Sequence, residues 1–349
     1  MSVEIRTVRT RGQLRRFIKF PYTLYKDCEN WVPALLGDEF NTFNRKKNAA
    51  FDFCIAECYL AYKDGRLAGR TAAIINRQAN KLSGNNYVRF GWTDFIEDQE
   101  VLNALLDAVA IYGKANGCDT MVGPWGFTDM DKEGALIDGF DILSPFTCLY
   151  NYPYYDAMFK AAGLEKDVDW LQKSVEIQGE MPQIFQFADT IQERFGLRIV
   201  KVGNTRELCR KYGQKVFRTY NEAFAPLVNF SPLTERQIKD YLKTYVPILD
   251  VRFTAVCVDA NDEPVGFAFC VPTLSKAVKK SGGRLFPFGL FRILHALKHN
   301  DTLEALLIGV KPEYQSKGAV LLMLKYLHEN CLKAGVKAML MNPQLEENL

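Results

Sequence analysis

The sequence predicts an α+β protein of two tandem domains, each a mixed α/β unit in which a mostly antiparallel sheet is flanked by helices. Three observations carry this. At 349 residues the chain exceeds the size at which one hydrophobic core usually keeps growing, so two domains are expected. Its two halves repeat one order of elements, a glycine-turned hairpin followed by a helix that ends at a glycine and then a strand. The closing junctions also read alike, KANGCDTMVGP over 114–124 and LKAGVKAMLMNP over 332–343. Duplication is the simplest source of such a repeat, and it divides the chain into 1–196 and 197–349.

In the first half, residues 55–76 read as strand, turn and strand, with Asp64 and Gly65 supplying the hairpin turn. A strand over 87–92 leads to a helix over 98–116, because Val101, Leu105, Ala108 and Tyr112 recur at helical spacing and Gly117 suits a left-handed cap. The strand 118–124 follows. Residues 150–172 read as a short helix from Tyr154, a stop at Gly163 and a strand, after which a linker at 179–182 and a polar helix over 182–195 join the halves.

The second half opens with a strand near Leu197, and two amphipathic helices bracket 221–232. A hairpin over 253–271 turns at Asn261 and Asp262. Residues 274–300 form a long loop rich in Lys, Gly and Phe, without a counterpart of that length in the first half, and such loops tend to be functional. A strand over 303–310 then leads into a helix from Ser316 to Ala334 whose apolar stripe is Val320, Leu324, Leu327 and Cys331, and the strand 336–343 closes the repeat.

Composition narrows the function. No segment approaches the ~20 apolar residues of a membrane span, and the N-terminal stretch MSVEIRTVRTRG has no apolar run after it, so no span is expected and the expected location is the cytoplasm. The nine cysteines are odd in number and scattered, which points to reduced thiols, and paired metal-ligand spacing is missing, so no metal is expected. A net charge of +3 gives no ground for a nucleic-acid partner. Lys276, Lys279, Lys280 and Arg284 form a local basic cluster, either solvated or bordering an anionic ligand.

The two copies diverge at one helix start. A helix N-terminus presents unpaired N–H groups and partial positive charge, and so can hold a phosphate if no side chain obstructs it. In the first copy Glu97, Asp98 and Glu100 crowd that junction, satisfying the helix and repelling an anion. In the second copy the same junction is Gln315, Ser316, Lys317, Gly318 and Ala319, with no acid, one lysine, and a glycine that permits close backbone approach.

The stretch from Val310 through Gln315 to Ala319 resembles the acyl-CoA-binding segment of the GNAT N-acetyltransferase superfamily, whose pattern is Gln/Arg-x-x-Gly-x-Gly/Ala. Gln315 and Gly318 match, whereas Val320 stands where Gly or Ala is usual. The order of elements over 198–343 follows the same family, and the first half looks like a copy that has lost the cofactor segment. The whole chain is similar to bacterial tandem-GNAT proteins. The resemblance implies splayed strands at the cofactor site, with the backbone of Ile308, Gly309 and Val310 holding a pantetheine arm and the amides of Gln315, Ser316, Lys317, Gly318, Ala319 and Val320 holding the pyrophosphate. The cosubstrate would be acetyl-CoA or a longer acyl-CoA. It implies Glu304 as the base that accepts a proton from a small-molecule or peptide amine attacking the thioester directly; from the residues alone, Glu304 reads equally as an edge-exposed strand residue. Tyr220 and Asn221, with Phe224 and Phe230, either line the acceptor pocket or serve ordinary packing. The family's tyrosine acid would follow the last parallel strand, but the sequence runs only to Leu349, and in the first copy Phe159 holds the equivalent place, so no general acid is named.

The expected function is acyl-CoA-dependent N-acyl transfer, most simply N-acetyl transfer. Two alternatives come from other classes: a non-catalytic binding or scaffold protein that kept the fold, and an aminoacyl-tRNA-dependent transferase, against which the weak basicity argues.

Overall fold

In a computed structural model, which describes residues 3–346 apart from 178, 180, 228 and 229, the repeat appears as two separate sheets. The first takes β1 (Glu4–Thr7), β2 (Cys54–Lys63), β3 (Arg66–Asn76), β4 (Tyr87–Phe95) and β5 (Thr120–Val122) in that spatial order. All neighbours are antiparallel except β4 and β5. The β2–β3 turn uses Asp64 and Gly65 at φ 52° and 74°, both left-handed, as a two-residue hairpin turn needs. Helices α1 (Arg11–Leu24), α2 (Leu36–Thr42), α3 (Arg77–Ser83), α4 (Gln99–Ala115) and α5 (Tyr154–Ala161) belong with this sheet. The amphipathic α4 buries Val101, Leu102, Leu105 and Val109 with Phe90, Phe95, Tyr155 and Phe159. A second cluster gathers Phe17 and Ile18 of α1 with Leu60, Ile74 and Phe127.

The second sheet runs β7 (Ser174–Glu176), β12 (Ala338–Leu340), β11 (Thr302–Val310), β10 (Pro264–Pro272), β9 (Thr254–Val258) and β8 (Arg198–Ile199). Only β11 and β12 are parallel. A separate two-stranded ladder pairs β6 (Trp170–Leu171) with β13 (Gln344–Leu345). The remaining helices are α6 (Ala188–Phe195), α7 (Thr205–Phe224), α8 (Glu235–Tyr245), α9 (Ser275–Lys280), α10 (Gly289–Lys298) and α11 (Ala319–Ala334). The core here joins Phe253, Ala255, Cys257, Ala268 and Cys270 of the sheet side to Leu322, Met323, Leu327 and Cys331 of α11. The fold is thus mixed α/β, with mostly antiparallel sheets flanked by helices, as the sequence predicts.

Three expectations change. The chain divides at 167/168 and not at 196/197, because β6 and β7 pair with strands of the second half: Val175 lies opposite Met339 and Trp170 opposite Leu345. The helix expected within 150–172 stays in the first unit, while the strand that follows it joins the second. The loop 274–300 is instead largely helical, and residues 274–293 belong to the first unit. Its root is clamped there, with the Leu36 N–H donating to the Gly283 carbonyl at 2.9 Å and the Lys279 ammonium donating to the Glu29 carbonyl. A Cβ on Gly283 would stand 2.2 Å from the Ala34 carbonyl, so only glycine fits. Finally, α11 starts at Ala319, after a 3-10 turn over Pro312–Lys317 and a left-handed Gly318. Leu327 and Cys331 of the expected stripe are buried, together with Ala319, Leu322 and Met323, whereas Val320 is exposed.

Candidate functional site

In the second unit the strands do part. The β11–β12 ladder covers only Thr302, Leu303 and Glu304 against Ala338, Met339 and Leu340, whereas β11 continues to Val310. From Ala305 onward β11 is paired to β10 alone among the described residues, across a bulge at Phe269/Cys270. Backbone groups on the vacated side of a strand are a ready template for an extended ligand. Ile308, Gly309 and Val310 occupy this stretch, with Gly309 buried beneath two rings: a Cβ there would come within 2.8 Å of Phe267 and 2.9 Å of Phe224.

The strand then feeds the start of α11. Gln315 and Ser316 are exposed in the 3-10 turn, and the Lys317 ammonium rests 4.3 Å from the centre of the Tyr314 ring. Gly318 caps α11 with its backbone at φ 76°, no side chain bonds the cap, and no acid stands in the first turn. The electrostatic contrast between the copies is therefore physical: in the first unit Asp98 accepts from the N–H groups of Glu100 and Val101, and Lys63 bridges Asp98 and Glu100. The glycine has a further structural cause. A Cβ on Gly318 would sit 2.6 Å from Ile191 of α6, so its absence makes room for that side chain as well as for the left-handed turn.

Glu304 is not an edge-exposed residue. It is 2% exposed and is the last β11 residue paired to both β10 and β12, which puts it where the strands fork. Thr273 donates its hydroxyl to Glu304 Oε1. Tyr220 and Asn221 are used structurally. Tyr220 is buried, stacked 4.5 Å from Phe224, and Asn221 clamps Leu233 through both ends of its amide, at 2.8 and 3.1 Å. Short polar side chains that bond backbone in this way hold turns together.

In the first unit the corresponding fork is filled by the chain itself. The β4–β5 ladder ends at Arg89, after which the Trp125 N–H donates to the Phe90 carbonyl at 2.9 Å. Cβ atoms on Gly91 and Gly123 would each lie 2.3 Å from a backbone oxygen of that closure, those of Trp125 and Phe90 respectively.

Beside this plug lies a group of charged residues that sequence reasoning missed. Burial pushes the Glu133 carboxyl up to about 8, reinforced by Asp129 and Asp131, and burial pushes Asp131 up to about 6 although it accepts from the Phe127 and Thr128 N–H groups. Arg89 is fully buried nearby, 5.5 Å from the Trp125 ring, and burial lowers its pKa. Trp92, at φ 48°, donates its indole N–H to Glu39 at 3.0 Å. Perturbed acids gathered at a strained backbone position have the character of a functional site. The available signal is the unpatterned, Gly- and Asp-rich stretch 125–141, to which the sequence reading gives no element or role.

A second network is ordered by donor logic. The Phe95 N–H donates to the Tyr155 oxygen at 3.2 Å, and the carboxylate of Asp94 can only accept, so the Tyr25 proton goes to Asp94 at 2.9 Å and the Tyr155 proton to Tyr25 at 2.8 Å. Arg70 closes it with a buried 2.7 Å pair to Asp94.

These features define a tandem GNAT fold, and the comparisons agree. Protein YghO of Escherichia coli is 28% identical over 356 residues, covering 99% of this chain and 89% of YghO. Bacterial ceramide synthase of Caulobacter vibrioides is 27% identical over 316 residues, covering 88% and 80%. Among solved structures, a tandem GNAT protein from the clavulanic acid biosynthesis pathway superposes with a TM-score of 0.54 at 11% identity, covering all of this chain and 91% of that one. No protein-family model matches the chain. Among the described residues no helix is long and apolar enough to cross a membrane, and no three His, Cys, Asp or Glu side chains converge as a metal site.

Proposed function

We propose that the second unit binds an acyl-CoA and that the protein transfers the acyl group to an amine. The observation that carries the reading is the fork: β11 leaves β12 after Glu304, runs on to Val310, and through the turn Pro312–Lys317 reaches an uncapped, acid-free helix start at Ala319. An extended thioester arm would lie along Ala305–Val310 and its pyrophosphate would meet the N–H groups from Gln315 to Val320. The amine nitrogen forms a bond to the thioester carbon, the C–S bond breaks, and the CoA sulfur leaves as thiolate. Glu304, at the fork, first takes a proton from the substrate ammonium to free the attacking amine, the second nitrogen proton passes to the departing thiolate as the amide forms, and Thr273 holds the Glu304 carboxylate in place. The similarity to the bacterial ceramide synthase of Caulobacter favours a long-chain acyl group and a lipidic amine, since a ceramide is the amide of the two.

The test is calorimetric titration of acetyl-CoA and a long-chain acyl-CoA, with release of free CoA followed by mass spectrometry because nine free thiols would consume a thiol reagent. Gly318→Glu is a poor probe, since its Cβ collides with Ile191. Ser316→Glu and Val320→Glu place a carboxylate at exposed positions of the same turn and are expected to weaken binding at least tenfold. Intact protein that binds neither acyl-CoA refutes the proposal.

A further inference from the structure

We infer that the segment 284–298 is a membrane-surface docking element, built to sit among the headgroups of an anionic lipid bilayer. It lies apart from the acyl-CoA reading and does not depend on it.

The first observation is bare aromatic surface. Phe286 is 76% exposed, Phe288 65% and Phe291 69%, with Leu294 at 47% and Leu290 at 38%, so five large apolar side chains within nine residues face solvent. Single exposed apolar residues are ordinary, but a contiguous group of this kind marks an interaction site. The geometry of α10 makes the pattern deliberate. Gly289 and Ile293 point inward and are buried, whereas Leu290, Phe291, Leu294, His295 and Lys298 fall on the opposite, outward arc. A helix that is apolar on its inner face for the core and again on its outer face has a second apolar neighbour to satisfy.

The second observation is charge. Residues 274–300 contain six Lys or Arg and no Asp or Glu, so the remainder of a chain of net charge +3 is negative. Lys276, Lys280 and Arg284, which precede the aromatic residues in the chain, and Lys298 at the end of α10 are exposed. Apolar side chains without hydrogen-bonding groups, flanked in the chain by cations, match the interface of an anionic bilayer, where insertion of rings and attraction to phosphates act together.

The third observation is rigidity at the root. The Leu36 N–H to Gly283 bond and the Lys279 contact to Glu29 fasten the segment to the first unit just before the tip, so the rings are presented on a fixed support.

The experiment is co-sedimentation of the full chain with phosphatidylcholine vesicles, with and without about one third phosphatidylglycerol. Binding to the anionic vesicles is expected to fall at least tenfold in the Phe286→Ser/Phe288→Ser/Phe291→Ser variant and at least tenfold in Lys280→Glu/Arg284→Glu. High salt should weaken the wild type, and thermal unfolding of both variants should match it, since every altered side chain is exposed. Equal sedimentation of wild type and the triple-Phe variant overturns the inference, and so does binding indifferent to anionic lipid. Sedimentation velocity gives the remaining arm: a dimer that the triple-Phe variant disperses, without vesicle binding, assigns the patch to a second copy of the chain and also overturns it.

Discussion

Replacing Glu133 by Gln is expected to change how stability depends on pH. Glu133 has its pKa raised from 4.5 to about 8 by burial beside Asp129 and Asp131, so the folded protein holds a proton that the unfolded chain has released. The unfolded chain binds fewer protons between these values, and stability therefore falls as pH rises from about 4.5 through 8. A shift of this size corresponds to a ceiling of about 5 kcal/mol at 1.36 kcal/mol per unit, and residual solvent contact reduces the expected loss to roughly 2 kcal/mol. Asp131, raised to about 6, adds a slope of the same sign at lower pH. The Gln variant should therefore lose the decline between pH 6 and 8 while keeping the Asp131 contribution below it. Urea unfolding followed by tryptophan fluorescence reads this well, because Trp31, Trp92 and Trp125 all lie in the first unit and only Trp170 in the second. Parallel midpoints for wild type and variant from pH 6 to 9 would show that Glu133 is ionised and solvated, and the cluster would lose its claim to perturbed chemistry.

Asp94→Asn leaves Arg70 buried without its counter-charge and should destabilise the first unit by about 3–5 kcal/mol in the same assay. Gly91→Ala drives a Cβ against the Trp125 carbonyl and should cost about 2–3 kcal/mol, seen as a lower urea midpoint without a change in acyl-CoA affinity. Glu304→Gln should lower turnover at least a hundredfold while leaving acyl-CoA affinity within a few fold. Thr273→Val should alter the pH profile of the same reaction more than its binding, whereas unchanged profiles would make Thr273 purely structural.

The sequence spoke most clearly where local chemistry decides structure. Asp64 and Gly65, the caps at Asp98 and Gly117, and the alternation of acid and glycine at the two helix starts all act within a few residues, and each is found in place. The fork at Glu304 was anticipated from a resemblance and then from nothing local, because ladder length depends on where β12 ends. Other features depend on what folding brings together. Tyr220 and Asn221 read in the sequence either as pocket lining or as packing, because their partners Phe267 and Leu233 are set by folding. In α11 Leu327 and Cys331 are buried as the spacing predicts, and Val320 is exposed because Ala319 beside it takes the inward position. The helices in 274–300 were hidden by a surface that is apolar outward, so amphipathic periodicity was blurred. The Glu133 cluster escaped because its members come from unpatterned chain and gain their character only from burial.

The edge strand β7 has a further consequence. It precedes every other strand of its sheet in the chain, yet it is paired to β12, roughly 160 residues later, so the last strand to be made is needed to seat the first. The first unit in turn takes in 274–293 from deep within the later half. No single peptide bond can be cut to yield two whole halves. Each unit is completed by chain drawn from the other half of the sequence, so neither can be expressed whole as one continuous segment.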